Sequence, residues 1–291
     1  MTTVTPRSLA LVFVAGLITA LATGLGALPF VLFDEISDRW NVVLWGLASG
    51  IMLAASGFGL LAEGMAASEG VPVLLGGGLL AGVVLVVVTD RLLHDTGVGG
   101  EGDHGAHDET DRPSDGEDAA LAAAVADGDY RTLVLILGVL TVHSFPEGVA
   151  IGVSFADLGL EGGVPVLGVS VPLLAVFMTV AISIHNVPEG TAIAIPLRTL
   201  GVSEQKMVGA AVLSSLPQPV GAVIAFAFVR WARAFLPFGF GFAAGAMVYL
   251  VLAEFVPEAL EQGADLPGRG WRELVAGVAA GAVLMLPLLA V

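Results

Sequence analysis

A chain of 291 residues with 56% hydrophobic and only 13% charged side chains, and a mean hydropathy of +0.91, lies far from the roughly 45–50% apolar and about 25% charged make-up of a soluble domain, and reads as an integral membrane protein. A net charge of −16 with Lys206 as the sole lysine excludes nucleic acid as a partner, because no basic surface exists to neutralise phosphates; the same balance resembles the acidic surfaces of salt-loving archaea. Cysteine is absent, which excludes a disulfide framework and any thiolate metal site.

In chain order, apolar runs of the roughly 20 residues that a bilayer requires extend over Ser8 to Phe33, Trp40 to Ala67, Val71 to Leu93, Tyr130 to Ala156, Val164 to Leu197, Val202 to Trp231, Leu236 to Leu260 and Trp271 to Val291. The runs are continuous rather than alternating, so helices are expected and not a barrel. The fold class predicted is an all-α integral membrane protein with eight transmembrane helices, forming one domain over 1–291. Ala20-Leu21-Ala22 in the first run mimics a leader cleavage site, but the apolar stretch continues past it and is too long for a signal peptide. Gly241 with Gly245 and Gly277 with Gly281 permit helices to approach closely in lipid.

Eight spans put both termini on one side. With the N-terminus outside, the inner connections hold Arg39, Arg91, Arg112, Arg131, Arg198, Lys206, Arg269 and Arg272, leaving Arg7, Arg230 and Arg233 outside; the excess of positive charge on the inner side favours both termini outside. The segment 93–129 is the one long hydrophilic connection and is expected to be a disordered acidic loop on the cytoplasmic side. It carries His94, His104 and His107 among carboxylates, which suits either a loose divalent-cation site or an acidic solvating loop holding histidines by chance.

The remaining two histidines sit in apolar surroundings. HSFPEG at 143–148 and HNVPEG at 185–190 place His143 four residues before Glu147, and His185 four residues before Glu189. That spacing brings each pair onto one helix face. A carboxylate at membrane depth costs at least ~2.5–3.5 kcal/mol on insertion scales, so such residues require partners or a wet cavity. Imidazole with carboxylate is a donor set that Zn²⁺ and neighbouring divalent ions accept. Pro146 and Pro188 free the carbonyls of Val142 and Ile184 and are expected to kink helices four and five, which is tolerated where a helix lines a cavity. Two such helices, antiparallel and facing each other, would offer His143, Glu147, His185 and Glu189, with a formal charge of −2 that one dication cancels.

Further polar groups share that depth. Gln218 stands between Pro217 and Pro219 after Ser214 and Ser215, so the sixth helix is expected to be broken. Glu254 and Glu258 flank Pro257 in the seventh, Glu63 in the second is placed at one mouth of a path, and Met52 could lend a thioether. Asp90 and Arg91 mark the inner water boundary. No nucleophile or oxyanion arrangement is present to support catalysis, so the chain is not expected to be an enzyme.

On these residues the sequence resembles the ZIP family of divalent metal transporters, in its GufA-like prokaryotic branch. The paired hexapeptides in spans four and five, the eight spans, the outside termini and the histidine-bearing third inner loop carry the resemblance over nearly the whole chain. It implies uptake of Zn²⁺, with Fe²⁺, Mn²⁺, Co²⁺ or Cd²⁺ also accepted, into the cytoplasm by movement of spans 1, 4, 5 and 6 against the rest. It also implies that the motif positions ligate metal, sometimes two ions bridged by the glutamates. Ser144 stands where relatives commonly carry Asn, Gln218 is neutral where a carboxylate often sits, and Asn186 is neutral where some relatives use Asp, so the expected site holds one ion. That ion would sit on His143, Glu147, His185 and Glu189, with Asn186, Ser144, Gln218 and Met52 as weaker adjoining donors. The expected partners are divalent ions and the bilayer of the cell membrane, with a homodimer left open and no prosthetic group. The alternatives from other classes are a membrane metal sensor without transport and a metal-dependent intramembrane hydrolase.

Overall fold

The computed structural model describes residues 4–29, 37–96, 143–160, 162–199 and 202–287. Helix α1 (Pro6–Leu25) starts from a capping box in which Thr5 Oγ1 accepts from the Ser8 amide while the Ser8 side chain accepts from the Thr5 amide, with proline in the first turn. It ends at Leu25 and passes into a turn at 26–28, earlier than the apolar run suggests. Helix α2 (Asp38–Ala66) is α-helical to Ala54, widens to a π-helix over Ala55–Leu61 and closes again as α-helix over Ala62–Ala66. Helix α3 covers Val73–Thr96, and helix α4 is described over 143–154. Helix α5 (Leu173–Thr199) runs without interruption through Pro188. Helix α6 is in two pieces, Glu204–Ser214 and Pro217–Trp231. Helix α7 is α-helical over Leu236–Leu250, π-helical over Val251–Phe255 and α-helical again over Val256–Gln262. Helix α8 is Trp271–Leu284.

Among the described residues, five of these helical stretches are long and apolar enough to cross a membrane: Pro6–Leu25, Asp38–Ala66, Leu173–Ile195, Glu204–Trp231 and Arg233–Gln262. Within a bilayer every backbone donor and acceptor must be met inside the segment, and helices do this. The acidic loop falls outside the description: residues 97–142, with His104 and His107, and the side chain of His94 are not described.

One expected helical stretch is not helical. The run from Val164 begins as an antiparallel hairpin, β1 (Val164–Val166) against β2 (Val169–Val171), with Val164 opposite Val171. Its two-residue turn, Leu167-Gly168, has φ of 47° and 74°, the positive pair that matches the twist of a tight hairpin. Alternating valines with Pro165 favour extended backbone here, and α5 starts only after Pro172. Arg7 at the start of α1 donates to the Leu167 carbonyl at the hairpin tip.

Packing divides the helices into two sets. In one, α2 packs along α8 and α3 along the first part of α7; in the other, α1 packs on α5 and α6, and α6 lies against α4 through Gly148, Gly152 and Gly221. The glycine pairs anticipated as contact points are consumed inside these sets. Gly277 and Gly281 face the backbone of Val43 and Leu47 on α2, while Gly241 and Gly245 face that of Leu75 and Leu79 on α3. They hold one chain together by backbone-to-backbone contact, where dispersion is strongest. Between the sets, α2 packs against α5.

This packing gives a first prediction. A Cβ on Gly50 would run into the Val278 carbonyl and α-carbon, whereas a Cβ on Gly76 would meet nothing within 4 Å. Gly50→Ala is therefore expected to destabilise by about 1–3 kcal/mol, as overpacking does. Gly76→Ala should instead be neutral or stabilising by up to ~1 kcal/mol from helix propensity. Thermal unfolding of both variants in one detergent checks the ordering.

Candidate metal site

The site is assembled from the two hexapeptides. On α5 the four-residue spacing sets His185 and Glu189 on one face, and α4 brings Glu147 against it. Ligand atoms of Glu147, His185 and Glu189 all lie within 4.8 Å of one another. His185 Nε2 is 2.8 Å from Glu147 Oε1, and the two residues are 0% and 3% exposed. His185 Nδ1 is buried with no hydrogen-bond partner among the described residues. A carboxylate and an imidazole buried this deeply in an apolar bundle are costly unless they serve each other or a cation. Two carboxylates around one imidazole provide a hard, anionic, mixed N/O donor set suited to a first-row dication.

The closing glycine of each hexapeptide explains how neighbours reach this depth. A Cβ on Gly148 would collide with the Gln218 backbone, and one on Gly190 with the Thr23 carbonyl. The residue after each glutamate is thus the point where another helix comes into backbone contact: α6 beside Glu147 and α1 beside Glu189. A polar network follows. Gln218 Nε2 donates to Glu147 Oε2. Thr19 Oγ1, at 2.6 Å, and Asn186 Nδ2, at 3.1 Å, donate to Gln218 Oε1, and Asn186 Nδ2 also donates to the Thr19 carbonyl at 2.8 Å. One turn further, Thr23 Oγ1 donates to Ser215 Oγ at 2.7 Å, in the break between the two pieces of α6.

The other anticipated donors are placed as follows. His143 turns Nε2 toward Glu254 Oε1 at 3.1 Å, so its imidazole meets a carboxylate of the π-helical part of α7. Ser144 donates to the Ser214 carbonyl at 3.1 Å. Asn186 is fully buried and its Oδ1 has no hydrogen-bond partner among the described residues. Gln218 is fully buried with both ends of its amide engaged, and Met52 lies in the apolar core, 1% exposed. Glu258 accepts from Gln262 at 2.8 Å. The reading of the sequence passed over Thr19 and Phe255. Thr19 had a signal, two threonines at i and i+4 in an otherwise apolar helix. Phe255, whose ring centroid stands 5.7 Å from that of His185 and 4.9 Å from that of Trp45, had none.

Toward the end of the bundle that carries the α1 N-terminus, a cavity of about 420 Å³ opens between the two sets, lined by Glu63, Ser154, Asp157, Leu174, Arg233 and Phe240 among others. Glu63 thus lines this cavity, and Arg233 pairs with Asp157 beside it. Ser154 lies seven residues beyond Glu147 on α4, about 10 Å at helical rise.

A family model described as ZIP zinc transporter matches residues 8–289. The chain belongs to the ZIP family. Among its relatives, zinc transporter GufA of Myxococcus xanthus is 32% identical over 283 residues, which are 94% of this chain and 96% of that protein. Zinc transporter ZIPB of Bordetella bronchiseptica is 32% identical over 265 residues, 91% of this chain and 76% of that protein. The Arabidopsis thaliana protein named "Putative zinc transporter At3g08650" is 36% identical over 244 residues, covering 84% of this chain but only 33% of its own length. The relatives from Myxococcus and Bordetella agree with the prokaryotic branch to which the paired hexapeptides pointed. ZIP proteins are transporters and not enzymes, which answers the expectation on catalysis.

Proposed function

We propose that this ZIP protein carries Zn²⁺, and chemically similar dications, across the cell membrane into the cytoplasm, holding the ion between Glu147, His185 and Glu189. The observation that carries this reading is the convergence of three ligand atoms within 4.8 Å at buried positions of α4 and α5. The two carboxylates balance one dication, and the imidazole adds a nitrogen that zinc favours. Eight spans with both termini outside put the 420 Å³ cavity on the outer side, so that Glu63 and Asp157 give an arriving cation an acidic vestibule about 10 Å above the site.

Alternating access follows from how the helices divide. The three ligands stand on α4 and α5, in the set tied to α1 and α6 by glycine contacts and by the Thr19–Asn186–Gln218–Glu147 network. That set can move as one body, with its cargo, against α2, α3, α7 and α8. The His143–Glu254 pair bridges the two sets and gives the movement one polar contact to break and remake. Binding without transport, the sensor reading, lacks a reason for the vestibule and for this division. The experiment is zinc influx into liposomes containing the purified protein and a trapped zinc-sensitive dye: saturable influx, competed by Cd²⁺ or Mn²⁺, supports transport. Metal binding by the same protein with no influx would support the sensor.

A further inference from the structure

Resting on the transport reading above, with the 420 Å³ cavity on the entry side, we infer that Arg233 keeps this cavity from trapping the arriving ion: its guanidinium neutralises Asp157, so the entry attracts a dication without chelating it. Among the described residues, the charged side chains that line the cavity are Glu63 on α2, Asp157 beyond the end of α4 and Arg233 in the link between α6 and α7. Their formal sum is −1. Glu63 and Asp157 without the arginine would sum to −2, with the Ser154 hydroxyl on the same wall. Such an all-oxygen, anionic set suits a dication and would hold it short of the buried ligands.

The chain carries two arginines three residues apart at the end of α6, and the backbone separates their tasks. Helix α6 ends at Trp231, Ala232 leaves helical geometry (φ −120°, ψ 67°), and a short 3-10 turn over Arg233–Phe235 leads into α7. Arg230, still on α6, donates to the carbonyls of Ala156 at 3.0 Å and Leu158 at 3.3 Å, just past α4, and its guanidinium stands 5.6 Å from the centre of the Phe226 ring. A cation on the carbonyls that end a helix is a structural cap. Arg233 donates to the same Ala156 carbonyl at 3.3 Å and to Asp157 Oδ1. Because Arg230 already meets that carbonyl, what Arg233 alone adds is positive charge at the Asp157 carboxylate. Both side chains of this pair are 51% exposed, so the pair stands in water, where it is weak enough for an arriving ion to displace. The carbonyl contact keeps the guanidinium at hand. When an ion moves on, Arg233 returns to Asp157 and the cavity is back at −1.

The test is the kinetics of zinc influx into proteoliposomes at low ionic strength, comparing wild type with Arg233→Gln, Arg233→Lys and the double variant Arg233→Gln with Asp157→Asn. Arg233→Gln is expected to lower KM about three- to fivefold, the scale of an exposed ion pair. The maximal rate should fall with it, because an ion held in the cavity starts from a deeper well. Raising the salt concentration should close the gap in KM. Arg233→Lys keeps the charge and should keep wild-type kinetics, and the double variant, again at −1, should return KM to within about twofold of wild type. An unchanged or raised KM in Arg233→Gln, a double variant that keeps the low KM, or an Arg233→Lys protein that behaves like Arg233→Gln would overturn the inference. Equilibrium dialysis with zinc supplies a measurement that needs no flux. In a His185→Gln background, which disables the buried site, adding Arg233→Gln should bind one more zinc ion per chain, and adding Glu63→Gln as well should remove it. No added ion would overturn the inference. Should wild type show no influx while the added ion is found, the transport reading fails and the role of Arg233 stands.

Discussion

Glu189→Gln should abolish zinc influx into proteoliposomes, leaving less than about 1% of the wild-type rate, while the protein keeps its fold. The substitution is isosteric, so packing on α5 is retained and the thermal midpoint in detergent should stay within a few degrees. What changes is charge. With Glu147 and Glu189 both ionised, the site balances a dication; with one neutralised, a net positive charge is left inside the membrane. At about 4 Å and an effective dielectric of about 20, each unit-charge pair is worth on the order of 4 kcal/mol. A dication makes two such pairs with that carboxylate, so even with about half of the total screened, affinity falls by more than about a hundredfold. Wild-type flux in a correctly folded Glu189→Gln protein would remove this carboxylate from the ion's path.

The second large effect concerns movement. Leu44 and Trp45 on α2 and Pro188 and Ala192 on α5 line a slot too narrow to admit water at the seam between the two helix sets. The chain has no cysteine, so Leu44→Cys combined with Ala192→Cys introduces the only thiols. Oxidation that joins them should cut influx by more than about tenfold, reduction should restore it, and neither single variant should respond to oxidant. Full cross-linking, verified by mass, with unchanged flux would mean that α2 and α5 keep their contact through the cycle. The ion would then have to move by a route that needs no displacement of one set against the other.

The two hexapeptides were legible in the sequence because ionisable side chains in apolar helices are too costly to be incidental, and because the four-residue spacing fixes their common face. The break in α6 was legible for a similar reason: neither Pro217 nor Pro219 has an N–H to donate to a preceding turn, and the structure begins a new helix at Pro217. Other features left no trace in a linear reading. Valines 164, 166, 169 and 171 suit a buried helix as well as a strand, and only the turn at Leu167-Gly168 makes the hairpin. The π-helical stretches over Ala55–Leu61 and Val251–Phe255 are shifts of register that tertiary packing imposes and no residue type announces. The α7 shift lies at Glu254, which meets His143 across the seam. The linear spacing could not foresee that partner, because the choice between Glu147 and Glu254 for the His143 imidazole is made by helix packing.

The most direct measurement of the central claim is X-ray absorption at the zinc edge on the loaded, purified protein. The account predicts a first shell of mixed nitrogen and oxygen donors at about 2.0–2.2 Å, with the outer-shell scattering of an imidazole that disappears in His185→Gln. A spectrum showing only oxygen donors, or an imidazole signal that survives His185→Gln unchanged, would contradict it.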